Sequence, residues 1–248
     1  MIRNWFFALS FLCLTALPSF AAQPAKYIVA HDATWPPMEF VDKNRNLVGY
    51  SIDYIAAVAK AAGFEIEHKN VAWDGIFSGL SAKRYDIIAS SVTITDERKK
   101  VMDFSDPYYT VRQAVVMPKD TDVTKLEGLR GKSVGAQIGT TGFITLKKDS
   151  AIKAMSYDEI GLAMEALATG RIDAAICDDP TAVNFVLANP AYAAKLKVAF
   201  TVPAEIPEFY GFAVDKGNKE LLDLINKGIR IVRETGKEET LIKKWITN

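Results

Sequence analysis

Cysteine and histidine are scarce in this chain, with Cys13 and Cys177, His31 and His68 the only examples among 248 residues. Nothing in their spacing resembles a metal-ligand set, so no metal and no cofactor are expected. An excess of either charge is also missing, since 30 bases face 30 acids. No basic stripe or Lys/Arg cluster interrupts that balance, which argues against nucleic acid as a partner. After the first twenty residues no apolar run is long enough to cross a membrane. What remains as a partner is a small molecule or another protein.

The N-terminus is different in character. Met1–Trp5 carries one Arg and no acid, Phe6–Phe20 is an apolar core, and Ser19-Phe20-Ala21 supplies small residues of the kind a signal peptidase reads. Residues 1–21 are expected to be a cleaved export signal, with the cut after Ala21 or one residue either side. Ser10-Phe11-Leu12 is not the small-residue context that a lipid-modified cysteine needs, so Cys13 is expected to leave with the signal. Cys177 then stands alone, no disulfide is possible, and its apolar flanks suit a small buried hydrophobe. Removing Arg3 leaves 29 bases against 30 acids. A mature chain of about 225 residues suits one large or two small domains.

Strand-like and helix-like segments alternate. Tyr27–Ala30 and Phe64–His68 read as strands. Ile52–Ala62 reads as an amphipathic helix stopped by Gly63, and Trp73–Leu80 as a further helix. Tyr85–Ala89 is a short apolar run that reads as a buried strand, and Ser133–Ala136 is another. This alternation predicts an α/β architecture with largely parallel sheets. Leu80–Ile88 and Leu167–Ala175 share the pattern L-x-x-x-R-[YI]-D followed by apolar residues. Either the chain contains a duplication or two helix–turn–strand corners have converged. Duplication makes the ends of the two strands equivalent, so Ser91 and Asp178 occupy matching positions facing each other across a cleft, where open α/β sheets bind ligands. Val111–Met117 and Ala199–Val202 are extended stretches around the middle segment and are expected to be two crossings of a hinge. Gly217–Trp245 is helical in pattern and is expected to return to the first half.

The most informative residues are Ser90-Ser91-Val92-Thr93-Ile94-Thr95-Asp96-Glu97-Arg98. Hydroxyls at the end of a strand, followed by an arginine at a helix start, suit an anionic small molecule. Hydroxyls and backbone N–H groups can hold one oxygen while the guanidinium takes a carboxylate bidentately. The alternative for Arg98 is a surface pair with Asp96 or Glu97, of little consequence. Together, S-x-T-x-T-x-x-R and Phe104-Ser105-Asp106-Pro107-Tyr108 resemble the signature of family 3 bacterial extracellular solute-binding proteins, the periplasmic amino-acid receptors of ABC importers. Gly139-Thr140-Thr141-Gly142 lets backbone amides approach an anion, and with Leu129–Gly135 it matches the second-lobe pattern of that family. Gly131-Lys132-Ser133 imitates the end of a phosphate loop, but Leu126 stands where the first glycine is required.

The resemblance spans the mature chain and is nearest to the histidine and lysine/arginine/ornithine receptors. It implies a type II periplasmic-binding fold of two α/β lobes joined by a two-crossing β hinge, with ligand in the cleft. Residues 22–111 and the return segment 205–248 then form the first lobe and 112–204 the second. Ser90, Ser91, Thr93, Arg98 and Thr141 are implied to hold the ligand, and Asp178 to accept its α-ammonium. Asp32, Trp35 and Trp73 are implied to meet the side chain. Each Trp is equally compatible with core packing. Two aromatic faces and a carboxylate suit a cationic tip, although related receptors for uncharged polar amino acids also carry this Asp. Asp53, in the family's G-[FY]-x-x-D motif, reads as architectural, complementing a helix dipole. Asp179 reads as an Asp-Pro turn. The implied function is capture of a polar or basic L-amino acid by hinge closure and delivery to an ABC membrane permease, without catalysis, by a monomer in the periplasm. The competing readings are a cyclohexadienyl-dehydratase-like enzyme, and a ligand-sensing module acting in trans.

Overall fold

A computed structural model describes residues 24–203 and 207–247. The expected signal peptide lies outside the described residues, and Cys13 with it. Two five-stranded sheets dominate the rest. The first runs Glu65–Asn70, Lys26–His31, Ile87–Ile88, Ala213–Asp215, Met102–Phe104. The second runs Lys153–Tyr157, Ser133–Gln137, Ala174–Asp178, Gln113–Pro118, Leu196–Thr201. In each, the first three strands are parallel and the fourth is antiparallel to both its neighbours. The same topology therefore occurs twice.

The repeated Asp does the same work in both halves. Asp86 Oδ2 accepts the Ile28 N–H at 2.8 Å, and Asp173 Oδ2 accepts the Ser133 N–H at 2.7 Å. The return bonds, Asp86 N–H to Ile28 O and Asp173 N–H to Ser133 O, are both 2.9 Å. Each Asp thus pins the central strand of its sheet to the start of the neighbouring one. Register along both sheets is fixed from that point, which is what makes the far ends of the strands comparable.

The hinge crossings differ from expectation. Tyr109–Val111 and Glu208–Tyr210 pair antiparallel in a small ribbon of their own between the sheets. Gln113–Pro118 and Leu196–Thr201 instead belong to the second sheet. The reason is burial: Ala114, Val115, Val116 and Met117 are all enclosed, and such a run needs sheet neighbours and cover on both faces. The Tyr85–Ala89 run supplies only a two-residue strand, Ile87–Ile88, although Asp86 and Ala89 on either side still donate to Ile28 O and Ala30 O.

Gly217–Trp245 forms two helices, Lys219–Glu234 and Lys237–Trp245. Leu221, Ile225, Ile229 and Val232 recur at helical spacing and bury against the helix Tyr50–Ala62 in the larger core cluster. Asp53 ties this corner together, with Oδ2 accepting from Lys244 Nζ at 2.6 Å and Trp245 Nε1 at 2.9 Å. Its architectural role is real, but it reaches the C-terminal helix as well as sitting in the first turn of its own. No described helix is long and apolar enough to cross a membrane.

Gly49 and Gly63 bracket the helix Tyr50–Ala62 at φ 135° and 83°. A Cβ on Gly49 would stand 2.2 Å from Met38 O, whereas one on Gly63 would meet nothing within 4 Å. Gly49→Ala should therefore lower unfolding free energy by about 3–4 kcal/mol, combining strain with a backbone clash. Gly63→Ala should cost about 1 kcal/mol, from strain alone. Urea unfolding of both variants beside the wild type measures the difference, and equal losses would contradict this account of the turn.

Candidate functional site

Four strand ends converge on one cavity between the sheets. Lys26–His31 leads into Asp32, Ile87–Ile88 into Ser90 and Ser91, Ser133–Gln137 ends at Gln137, and Ala174–Asp178 ends at Asp178. Counting four residues on from the strand positions held by Asp86 and Asp173 gives Asp32 in one half and Gln137 in the other. These equivalent residues meet across the gap, Gln137 Nε2 donating to Asp32 Oδ2 at 2.9 Å. All nine residues singled out from sequence, Asp32, Trp35, Trp73, Ser90, Ser91, Thr93, Arg98, Thr141 and Asp178, line this cavity. Glu39, Gln137 and Thr140 line it as well.

Arg98 enters from the first half. Thr95 Oγ1 accepts the Arg98 N–H at 3.2 Å, capping the short helix Asp96–Lys99 and aiming the side chain inward. Its guanidinium donates to Thr93 O at 2.8 Å and, across the cleft, to Gly139 O at 3.1 Å. It also lies over the rings of Trp73 and Phe77, 5.6 and 5.1 Å from their centroids. Burial lowers the guanidinium to about 10 while Asp178 and Glu208 pull the other way, so it stays charged near neutrality. Trp73 thus serves both alternatives raised for it. It packs in a core cluster, and it faces the cavity with Arg98 against it. Trp35 does likewise from the larger core, and its indole Nε1 has no partner.

Three carboxyl groups line the cavity with this guanidinium. Asp32, Glu39 and Asp178 are 5%, 0% and 6% exposed. Asp178 Oδ1 accepts from Gln113 Nε2 at 2.6 Å and Oδ2 from Tyr210 Oη at 2.5 Å. Burial nevertheless raises its carboxyl to about 7, those two donors opposing the rise. Asp32 accepts from Thr34 Oγ1 at 3.0 Å as well as from Gln137, and burial raises it too. Glu39 is pushed well above the usual carboxylate range by complete burial, against bonds from Ser51 and Ser91. Ser91 Oγ donates to Glu39 Oε2 at 2.9 Å, while Oε1 has no partner. Ser91 holds that orientation from a left-handed backbone at φ 47°, a strained state for a residue with a Cβ.

Sequence reasoning passed over Glu39 and Gln137. Glu39 opens the strand Glu39–Val41, where one acid between Met38 and Phe40 reads as an ordinary solvent-facing residue. Gln137 was available from the duplication as the counterpart of Asp32. Asp179, read as a turn residue, opens the helix Asp179–Ala188 and pairs with Arg112 at 3.3 Å. Among the described residues no group of three or more His, Cys, Asp or Glu is arranged to hold a metal.

Residues 27–248 match the model of the bacterial extracellular solute-binding proteins, family 3. The chain belongs to this family. A probable histidine-binding protein of Neisseria gonorrhoeae is 36% identical over 91% of this chain and 85% of its own length. The arginine-binding extracellular protein ArtP of Bacillus subtilis is 30% identical over 99% of both. Among solved structures, an ancestral arginine-binding protein bound to arginine superposes with a TM-score of 0.84 at 38% identity, covering 90% of this chain and 99% of that one. The two-lobed α/β architecture and amino-acid binding follow from that membership.

A fully buried carboxylate without a cation costs folding free energy. Because the folded-state value of Glu39 is raised, its favourable contribution is present below the unfolded value of 4.5 and is lost as pH rises through the raised one. Glu39→Gln should therefore stabilise the ligand-free protein by at least about 1 kcal/mol at pH 8, with the gain vanishing toward pH 4. Thermal unfolding across that range tests it, and a variant less stable at pH 8 would refute the desolvation account.

Proposed function

We propose that this chain is an exported, periplasmic receptor that captures a basic L-amino acid between its lobes, 22–111 with 205–248 and 112–204, and presents it to an ABC permease. The observation that carries the reading is the charge inventory of the cavity, in which three buried carboxylates face one guanidinium. A zwitterion alone adds as much negative charge as positive. An amino acid with a cationic side chain adds one more positive charge, in a site where each carboxylate is out of water.

Arg98 takes the α-carboxylate as a bidentate partner, with Ser91, Thr93 and Thr141 hydroxyls around it. Asp178 takes the α-ammonium. The side-chain cation goes to the end of the cavity held by Asp32 and Glu39, where Glu39 Oε1 is the acceptor with no partner. Trp35 and Trp73 form the walls along the ligand stem, and Ser90 supports the floor by accepting the Asp32 N–H at 2.8 Å. None of these roles breaks a bond in the ligand, and the receptor releases what it binds unchanged. Prephenate and arogenate should accordingly emerge unaltered from incubation with the protein.

Calorimetric titration of ligand-stripped protein against L-arginine, L-lysine, L-histidine and L-glutamine tests the reading directly. The basic amino acids should bind at micromolar concentrations or tighter, and Arg98→Ala should weaken them by one to two orders of magnitude. Tighter binding of glutamine than of every basic amino acid would overturn the charge assignment.

Affinity should also depend on pH. Asp178 is raised to about 7 in the free protein, and a bound ammonium favours its ionised form, so binding below that pH must expel a proton. The dissociation constant should rise about tenfold per pH unit below pH 7 and stay flat above it, until the ligand's own amine titrates. A flat profile from pH 5 to 8 would remove Asp178 from the role of ammonium acceptor.

A further inference from the structure

One donor on Asp178 comes from a hinge crossing and the other from the sheet strand that the opposite crossing leads into. Gln113 follows the first crossing, opening the strand Gln113–Pro118 directly after Val111 and Arg112, and Tyr210 closes the second crossing, Glu208–Tyr210. Oδ1 accepts from Gln113, the cross-strand neighbour of Asp178 in the second sheet, and Oδ2 from Tyr210 in the second crossing. Tyr210 is fully buried and Gln113 is 4% exposed, so water cannot replace either donor without rearrangement.

Each donor also reaches further into the site. The Tyr210 backbone bridges Thr93, next to the Arg98 guanidinium, so one residue spans from the carboxylate side of the cavity to the ammonium side. Gln113 Nε2 lies 3.0 Å from Thr141 Oγ1 and 3.0 Å from Glu208 Oε2 on the opposite crossing. Its amide is wedged against the start of the helix Thr141–Lys147, where a Cβ on Gly142 would stand 2.7 Å from Gln113 Oε1. The small residue at 142 leaves that space for the amide. The charged and titratable groups around Asp178 are Arg98, which opposes it, and Glu208, Asp179 and Glu39, which share its sign, with Cys177 and Tyr210 in the same shell.

We propose that Gln113 and Tyr210 are positioning residues through which the second hinge crossing, and the strand entered from the first, are tied to the ligand's α-ammonium by way of Asp178. This rests on the reading of Asp178 as the ammonium acceptor. An ammonium arriving at Asp178 completes a three-donor shell whose other two members, Gln113 Nε2 and Tyr210 Oη, already orient the carboxylate toward it. Ligands lacking the α-amino group leave that shell incomplete and gain nothing from these two donors.

Tyr210→Phe removes a single oxygen, and Gln113→Met keeps the length of the side chain while removing its donor. Both are titrated beside the wild type with L-arginine and with 5-guanidinopentanoic acid, which lacks only the α-amino group. Each variant should lose about ten- to hundredfold in affinity for arginine, and less than about threefold for the des-amino acid. The pH below which arginine binding weakens should move upward in both variants, because the ionised carboxylate has lost a donor. Equal losses for the two ligands, or an unmoved pH profile, would overturn the proposal and leave the residues as packing only. A wild type indifferent to the α-amino group would instead overturn the reading of Asp178 itself.

Discussion

The cavity is organised around three carboxyl groups taken out of water with one guanidinium, Arg98, among its lining residues. Asp178, Asp32 and Glu39 are all raised by desolvation, and the hydrogen bonds from Tyr210, Gln113, Thr34, Gln137 and Ser91 offset only part of that cost. Such a site is poorly satisfied when empty. It gains most from a ligand that carries the missing positive charge, and that gain is largest when the lobes are closed and the local dielectric is low. In the proposed reading, selection of a cationic amino acid and closure of the lobes both draw on this one electrostatic deficit.

Placement of those groups follows from the doubled topology. Parallel strands present their carboxyl ends at one edge of each sheet, and the matching bonds from Asp86 and Asp173 fix equivalent register in both halves. Asp32 then lies opposite Gln137, and Ser91 and Asp178 line the same cavity from the two halves. The two halves are similar in topology and different in chemistry: one supplies the guanidinium and the aromatic walls, the other the Gln137 amide and the Asp178 carboxyl group. Divergence at strand ends, where side chains carry little of the core packing, changes the charge of the site with small cost to either sheet.

Much of this was legible in the sequence, for identifiable reasons. The repeated L-x-x-x-R-[YI]-D pattern exposed the duplication, because an Asp that pins two strands must recur at the same place in each copy. Ser90–Arg98 could be read because hydroxyls and a guanidinium have few other uses in a short stretch after a buried strand. The hinge was placed wrongly because extended conformation does not distinguish a crossing from an interior strand. Ala114–Met117 is apolar at every position, the mark of a strand covered on both faces, and that pattern outweighs its location between lobes. Glu39 was missed because one acid between Met38 and Phe40 looks like an ordinary solvent-facing strand residue. Its burial depends on Ser51 and Ser91, which are 12 and 52 positions away, and contacts at that separation leave no local periodicity.

Arg98 illustrates how the site combines rigidity with openness to a ligand. Its guanidinium is fixed by Thr93 O, by Gly139 O from the opposite half and by the faces of Trp73 and Phe77. These partners are neutral, so they orient the cation without neutralising it, and the planar fork keeps donors to spare for a carboxylate. Asp178 is arranged on the same principle, held by a phenol and an amide that fix its direction and leave its charge unpaired. Neutral anchors on charged groups let the cavity be pre-shaped at low entropic cost to the incoming molecule. Replacing either set of anchors with a protein counter-ion would satisfy the empty site, and would remove the reason for it to bind.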